Sequence, residues 1–134
     1  MRLQSLARFL KRDDGTATVE TVLWFPLFIA VFGLMLDMAM IFHGQAKVLR
    51  IVQDGNREYS IGRLTTPDAA ETYIENTLAL MDIQATATTT EVAGVAHTLV
   101  RVPANQLQVL GYFSAFSGLQ LSITAEHMIE NWEV

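Results

Sequence analysis

A chain of 134 residues, 51% of them apolar and with a formal net charge of −5, has room for one small domain beside a membrane segment and none for a second domain. The lack of cysteine excludes disulfides and thiolate metal sites. Four of the nine basic residues, Arg2, Arg8, Lys11 and Arg12, fall in the first twelve positions and all fourteen acidic residues follow them, a distribution that argues against nucleic acid as a partner.

The basic leader, residues 1–15, runs towards Val22 to Phe42, 21 residues whose only ionisable side chain is Asp37. At ~1.5 Å of rise per residue such a helix is about 30 Å long, the thickness of a bilayer hydrocarbon core. A lone segment in hydrocarbon has to be helical, because only a helix satisfies its own amides there. Positive charge before the segment keeps the leader in the cytoplasm and sends the rest across the membrane. No A-x-A cleavage site follows Phe42, where the chain continues His43-Gly44-Gln45-Ala46-Lys47. What stands out lies ahead of the apolar run: Gly15-Thr16-Ala17-Thr18-Val19-Glu20, a glycine followed five residues later by a glutamate at the threshold of the helix.

This pattern resembles the processing site of type IV prepilins. Residues Asp14-Gly15 and Val19-Glu20, with an apolar run broken by Pro26 and carrying Gly33 and Asp37, resemble the N-terminal region of the TadE-like family of tight-adherence (Tad, Flp-type) pseudopilins, over about Asp13 to Arg63. The resemblance implies that a prepilin peptidase cuts after Gly15 on the cytoplasmic side, that the mature chain begins at Thr16, and that Glu20 pairs with the new α-amino group of Thr16 on a neighbouring subunit. Without that implication, Glu20 reads as a solvated acid favoured by the dipole at a helix start. The related TadG-type proteins carry a large extra domain for which this chain has no room. The family further implies a minor pilin of the bacterial inner membrane, single-pass and without a cofactor. Its partners would be other pilins and pseudopilins, the prepilin peptidase, an inner-membrane assembly platform and the bilayer itself. An uncleaved single-pass scaffold or adapter of a secretion complex is the alternative, with a tethered periplasmic enzyme a third.

Within the stem, Pro26 has no backbone N–H and clashes with the carbonyl of Val22, which predicts a kink or a loosened turn. At ~100° per residue, Pro26, Ala30, Gly33, Asp37 and Gly44 fall in a wedge of about 60°, and Gly33, Gly44 and Gly55 recur at a spacing of eleven that holds a helix face in register. Small residues let another helix backbone approach closely, so this wedge is a candidate packing face for a neighbouring stem; the other account is that glycine is common in membrane helices and that Gly55 or Gly62 ends this one. An ionised carboxylate at Asp37 costs at least ~2.5 kcal/mol at a bilayer centre. Asp37 therefore snorkels, is protonated, or marks the face that meets a partner.

Beyond Phe42 the helix is expected to continue as an amphipathic extension, with Ala46, Leu49, Val52 and Tyr59, flanked by Val48 and Ile51, as its apolar stripe and Lys47, Arg50, Asp54, Arg57, Glu58 and Arg63 polar. Thr65-Thr66-Pro67-Asp68 is a helix start, and Ala70, Ile74, Leu78 and Met81 recur at helical spacing, which predicts a second helix over Pro67 to Met81. From Asp82 the period becomes two: Ile83 to Thr90 and Val95 to Val102 form a hairpin turning at Glu91 to Gly94, and Leu119 to Glu126 forms a third strand. The connection from Leu107 to Phe116 is apolar and aromatic, with a short helix ending before Ser117-Gly118 one form open to it, and its cluster from Tyr112 through Phe113 to Phe116 reads as core rather than a binding patch. The fold class is thus α+β: a long N-terminal transmembrane helix that continues into a small pilin-like domain with a second helix and a three-stranded antiparallel sheet. The segments are leader 1–15, stem 16–43 and periplasmic domain 44–134.

No catalytic constellation emerges. His43, His97 and His127 are far apart and none stands in an H-x-x-x-H or H-E-x-x-H setting. There is no G-x-S-x-G and no phosphate-cradling glycine loop. Glu126, Glu130 and Glu133 read as an acidic tail rather than a cation site. The chain is read as a non-enzyme.

Overall fold

A computed structural model describes residues 14–112 and 118–130, with side chains from residue 18. Two compact units divide the chain, the first ending at Met35 and the second beginning at Leu36. The first is helical over its described residues, all of them part of α1 (Asp14–Ser60), and from Thr18 to Phe32 every side chain is exposed. Leu23, Phe25 and Phe32 are between 63% and 73% exposed, as side chains on a lipid-facing surface are. The helical run passes Pro26 unbroken.

The second unit is an α+β fold. It contains the rest of α1, then α2 (Pro67–Ala79), β1 (Thr86–Val92), β2 (Val95–Pro103), a 3-10 turn at Ala104–Gln106, and β3 (Gln120–Met128). The sheet is antiparallel in the order β1-β2-β3, with Thr98 opposite both Thr89 and Ala125. Val92 pairs with Val95 across a two-residue turn in which Ala93 and Gly94 both have positive φ, the geometry whose twist matches the flanking strands. One sheet face is wet and the other is buried, as the alternation predicts: Ala87, Val100, Val102, Ile123 and Ala125 point inwards against α1 and α2.

Both helices end in the same way. At the end of α1 the amide of Arg63 donates to the carbonyl of Glu58 and that of Gly62 to Tyr59, with Gly62 left-handed. At the end of α2 the amide of Ile83 donates to Leu78 and that of Asp82 to Ala79, with Asp82 left-handed. These paired bonds satisfy carbonyls that a helix end leaves orphaned. The first helix stops at Ser60, two residues ahead of Gly62. The bonds also correct one expectation, since the second helix stops at Ala79 rather than Met81. Met81 is therefore 52% exposed, and Ile83, brought back by the turn, enters the core beside Leu78. The N-terminus of α2 is as predicted: Thr66 caps it, its Oγ1 accepting from the Ala69 amide at 3.2 Å, and Pro67 opens the first turn.

The buried stripe of α1 differs from the one read by spacing. Ile41, Gly44, Val48, Ile51, Val52, Gly55, Asn56, Tyr59 and Ser60 are buried, whereas Ala46 is exposed and Leu49 half-buried. Two polar residues and two glycines hold places that a hydrophobicity pattern cannot assign. Leu119, expected to begin the inward face of the third strand, lies ahead of β3 and is exposed.

Candidate functional site

Three parts of the chain carry the residues that function would use: the start of α1, the loop tied to Asp37, and the polar join between α1 and the sheet. At the start, Gly15 and Thr16 lie within α1, but their side chains, like the whole of residues 1–13, fall outside the described part. Glu20 is exposed and borders an open groove with Thr21, Trp24, Phe25 and Phe28. Spacings of four and eight put Glu20, Trp24 and Phe28 on one line of the helix, so the acid sits at the end of an aromatic strip.

Along the wedge the described structure divides. Pro26 and Ala30 are exposed, whereas Gly33, Asp37 and Gly44 are buried. A Cβ on Gly44 would lie 2.8 Å from Leu107 Cδ2, and one on Gly55 2.5 Å from Ile74 Cγ1. From Asp37 onward the small-residue face is thus occupied by the chain's own polypeptide: Leu107 rests on Gly44 and α2 rests on Gly55.

Asp37 has the most specific surroundings. Its Oδ1 accepts from the amides of Val109 at 3.0 Å and Leu110 at 2.6 Å, and its Oδ2 accepts from Tyr112 at 2.8 Å. The carboxylate is completely buried, so these charge-assisted bonds take the place of the water it has lost. An aspartate in an apolar run neither snorkels nor waits for a partner here; it anchors a loop more than seventy residues away. In Asp37→Asn one oxygen becomes an amide donor and faces an N–H group, so the loop loses at least one bond. The expected outcome is loss of hydrogen-exchange protection at Val109, Leu110 and Tyr112 while the strand amides remain protected; unchanged exchange at all three would contradict the anchor. Tyr112, read as core, is 42% exposed, because its backbone rather than its ring is what the fold uses; Phe113 and Phe116 lie outside the described residues.

The polar join was not read from the sequence. Asn56, fully buried, donates through Nδ2 to the Ala125 carbonyl at 3.0 Å and accepts at Oδ1 from Thr98 Oγ1 at 2.5 Å; Thr98 shares a further bond of 2.9 Å with Thr89. Ser60 Oγ donates to the Met128 carbonyl at 2.6 Å. The chain Asn56-Thr98-Thr89 runs from α1 into the sheet, first to β2 and then to its neighbour β1. On the far side, Glu75 accepts from the Ala87 amide at 2.9 Å and Glu71 from the Thr89 amide at 2.6 Å, so carboxylates of α2 satisfy amides along the edge of β1. The available signal was that Asn56 is i+4 from Val52 and i−3 from Tyr59, on a stripe that is otherwise apolar.

Tyr59 donates to Glu91 Oε2 at 3.1 Å; burial first, and then this carboxylate, push its phenol above the ordinary value, so it remains a neutral donor. Tyr73 is raised in the same sense, chiefly by its 2.8 Å bond to Asp54.

Among the described residues no group of three or more His, Asp or Glu side chains is placed to hold a metal ion. His97 pairs with Glu126 across the strands at 3.1 Å, His127 borders a shallow cleft with Arg50, Asp54 and Arg57, and His43 is exposed. Of the acidic tail, the Glu130 amide is tied to the Ser60 carbonyl at 3.2 Å, and Glu133 lies outside the described residues.

Residues 15–57 match the family model described as TadE-like protein. Over that stretch, about a third of its length, the chain is similar to TadE-like proteins. The TadE-like stretch opens at Gly15 and takes in Glu20, the whole wedge through Gly55, and Asn56; the second helix and the sheet lie beyond it. It falls inside the span from Asp13 to Arg63 over which the resemblance was drawn. No curated protein and no solved structure matches the chain. Among the described residues one helix, Thr18–Ser60, is long and apolar enough to cross a membrane, which is compatible with a single-pass protein.

Proposed function

We propose that this chain is a minor pilin, or pseudopilin, of a tight-adherence pilus, cleaved after Gly15 by a prepilin peptidase and acting in pilus assembly or initiation through its stem. The observation that carries the reading is a TadE-like match that opens at Gly15 and continues into a helix whose apolar side chains are exposed. The role is structural: the stem stays in the inner membrane with the leader cytoplasmic and the α+β unit periplasmic, then packs against the stems of other pilins and pseudopilins on an assembly platform. Moving from lipid into a bundle of stems exchanges one apolar environment for another, so helix packing has to supply the driving force. Since Asp37 and Gly44 are occupied within the second unit, the proposed stem contacts fall to the part of the wedge ahead of them, and Glu20 would meet the α-amino group of a neighbour's Thr16.

Intact-mass measurement tests the reading. Protein from cells with an active prepilin peptidase is expected to lack Met1 to Gly15 and to start at Thr16, and protein from cells without the enzyme to keep them. Retention of Met1 in the presence of an active peptidase would favour the uncleaved scaffold or adapter instead.

A further inference from the structure

The second unit exposes apolar side chains in two places that the Asp37 hydrogen bonds bring together. On α1 these are Met38 and Phe42, 43% and 62% exposed; on the loop they are Val109, Leu110 and Tyr112, 59%, 54% and 42% exposed. The loop is held at the level of Asp37, whose carboxylate takes three of its amides. Asp37 lies five residues, or ~7.5 Å of helix rise, short of Phe42, where the apolar run gives way to His43, Gly44 and Gln45. If the apolar run marks the hydrocarbon, the loop lies within it.

We propose that Val109, Leu110 and Tyr112 insert into the leaflet on the domain's side of the bilayer, giving the second unit its own contact with lipid beside the stem. The inference rests on the reading of α1 as a membrane stem. Three features of the loop fit lipid rather than water. Its described residues from Leu107 to Tyr112 include no charged side chain. Irregular backbone at membrane depth requires its polar groups to be satisfied within the protein, and here a buried carboxylate satisfies three amides at once. A tyrosine, with an apolar ring and a polar tip, suits the boundary with the headgroups. The exposed patch is also continuous along α1 with Leu36, on the run that meets lipid.

The chain has no cysteine, so one substitution in the full-length protein provides a single labelling site. Leu110→Cys and, as a second variant, Val109→Cys would carry an environment-sensitive nitrobenzoxadiazole label in vesicles of phosphatidylethanolamine and phosphatidylglycerol. Phe28→Cys serves as the stem reference and Thr90→Cys as the water-exposed reference. The expected result is that labels at 109 and 110 are quenched several-fold more by lipids with a nitroxide near the top of the acyl chain than by aqueous iodide, at every lipid-to-protein ratio, with the reverse at 90. Iodide quenching at 109 and 110 equal to that at 90, with 28 still quenched from lipid, would overturn the insertion and leave the stem standing. Iodide reaching 28 would remove the stem reading itself. Protection at 110 that fades as protein is diluted into lipid would assign the patch to a second copy, which also overturns the proposal.

Discussion

Gly55→Leu is expected to lower the unfolding temperature of the full-length protein in detergent by on the order of 10–20 °C, the equivalent of about 3 kcal/mol in a domain of this size. The reason is contact rather than propensity. Glycine inside a helix is about 1 kcal/mol worse than alanine, so removing it from an open position would stabilise α1. At Gly55 the space for a side chain is already taken: a Cβ would stand 2.5 Å from Ile74 Cγ1 and 2.8 Å from Cδ1. Ile74 is fully buried in the main core and has no room to swing away, so α2 has to move off α1. Ala46→Leu, at an exposed place on the same helix, is the control and should leave the transition within about 0.5 kcal/mol of the parent. Thermal unfolding followed by circular dichroism measures both. A Gly55→Leu transition no lower than that of Ala46→Leu would mean that the two helices do not meet at this glycine.

Replacing Asn56 is expected to cost nearly as much. Asn56→Leu conserves volume but deletes the donor to the Ala125 carbonyl and the acceptor for Thr98, two bonds made entirely out of water. Leaving buried groups unpaired costs ~1–3 kcal/mol each, which puts the loss at about 2–4 kcal/mol. The companion experiment separates a satisfied network from mere shape. Removing the hydroxyls as well, in Asn56→Leu combined with Thr98→Val and Thr89→Val, takes away the hydroxyl that the single change strands but leaves the Ala125 carbonyl, so the triple variant should recover part of the loss. Chemical unfolding of the single and triple variants provides the measurement. A triple variant less stable than the single by the full sum of its parts would show that the three side chains act independently.

These variants probe the join between helix and sheet, and that join decides what the stem has left to offer. The wedge of small residues looked uniform from Pro26 to Gly55, yet its members have different occupants. Pro26 and Ala30 are exposed, Asp37 holds a loop, Gly44 receives Leu107, and Gly55 receives Ile74. Close approach of backbone is what small residues permit, but they do not specify which backbone approaches. In the half from Asp37 onward that property serves the chain's own fold.

Local rules made much of this protein legible. A run of twenty-one residues, apolar but for Asp37, behind a basic leader defines a helix that can cross a bilayer, because a lone segment in hydrocarbon admits no other backbone. A threonine cap before a proline set the start of α2, and alternation marked three strands and, except at Leu119, their inward face. Each of these signals acts within a turn or two of chain, so the sequence by itself was enough. What it could not settle were the contacts between distant positions. Asp37 and Leu110 lie seventy-three residues apart, Asn56 and Ala125 sixty-nine, and nothing near either polar residue names its partner. A buried aspartate or asparagine costs free energy unless the fold supplies donors and acceptors around it, and those arrive only when α1, the sheet and the 109–112 loop have assembled. Only the tertiary structure could therefore decide that the acid in the apolar run is an anchor and that the polar residue on the stripe is part of the core.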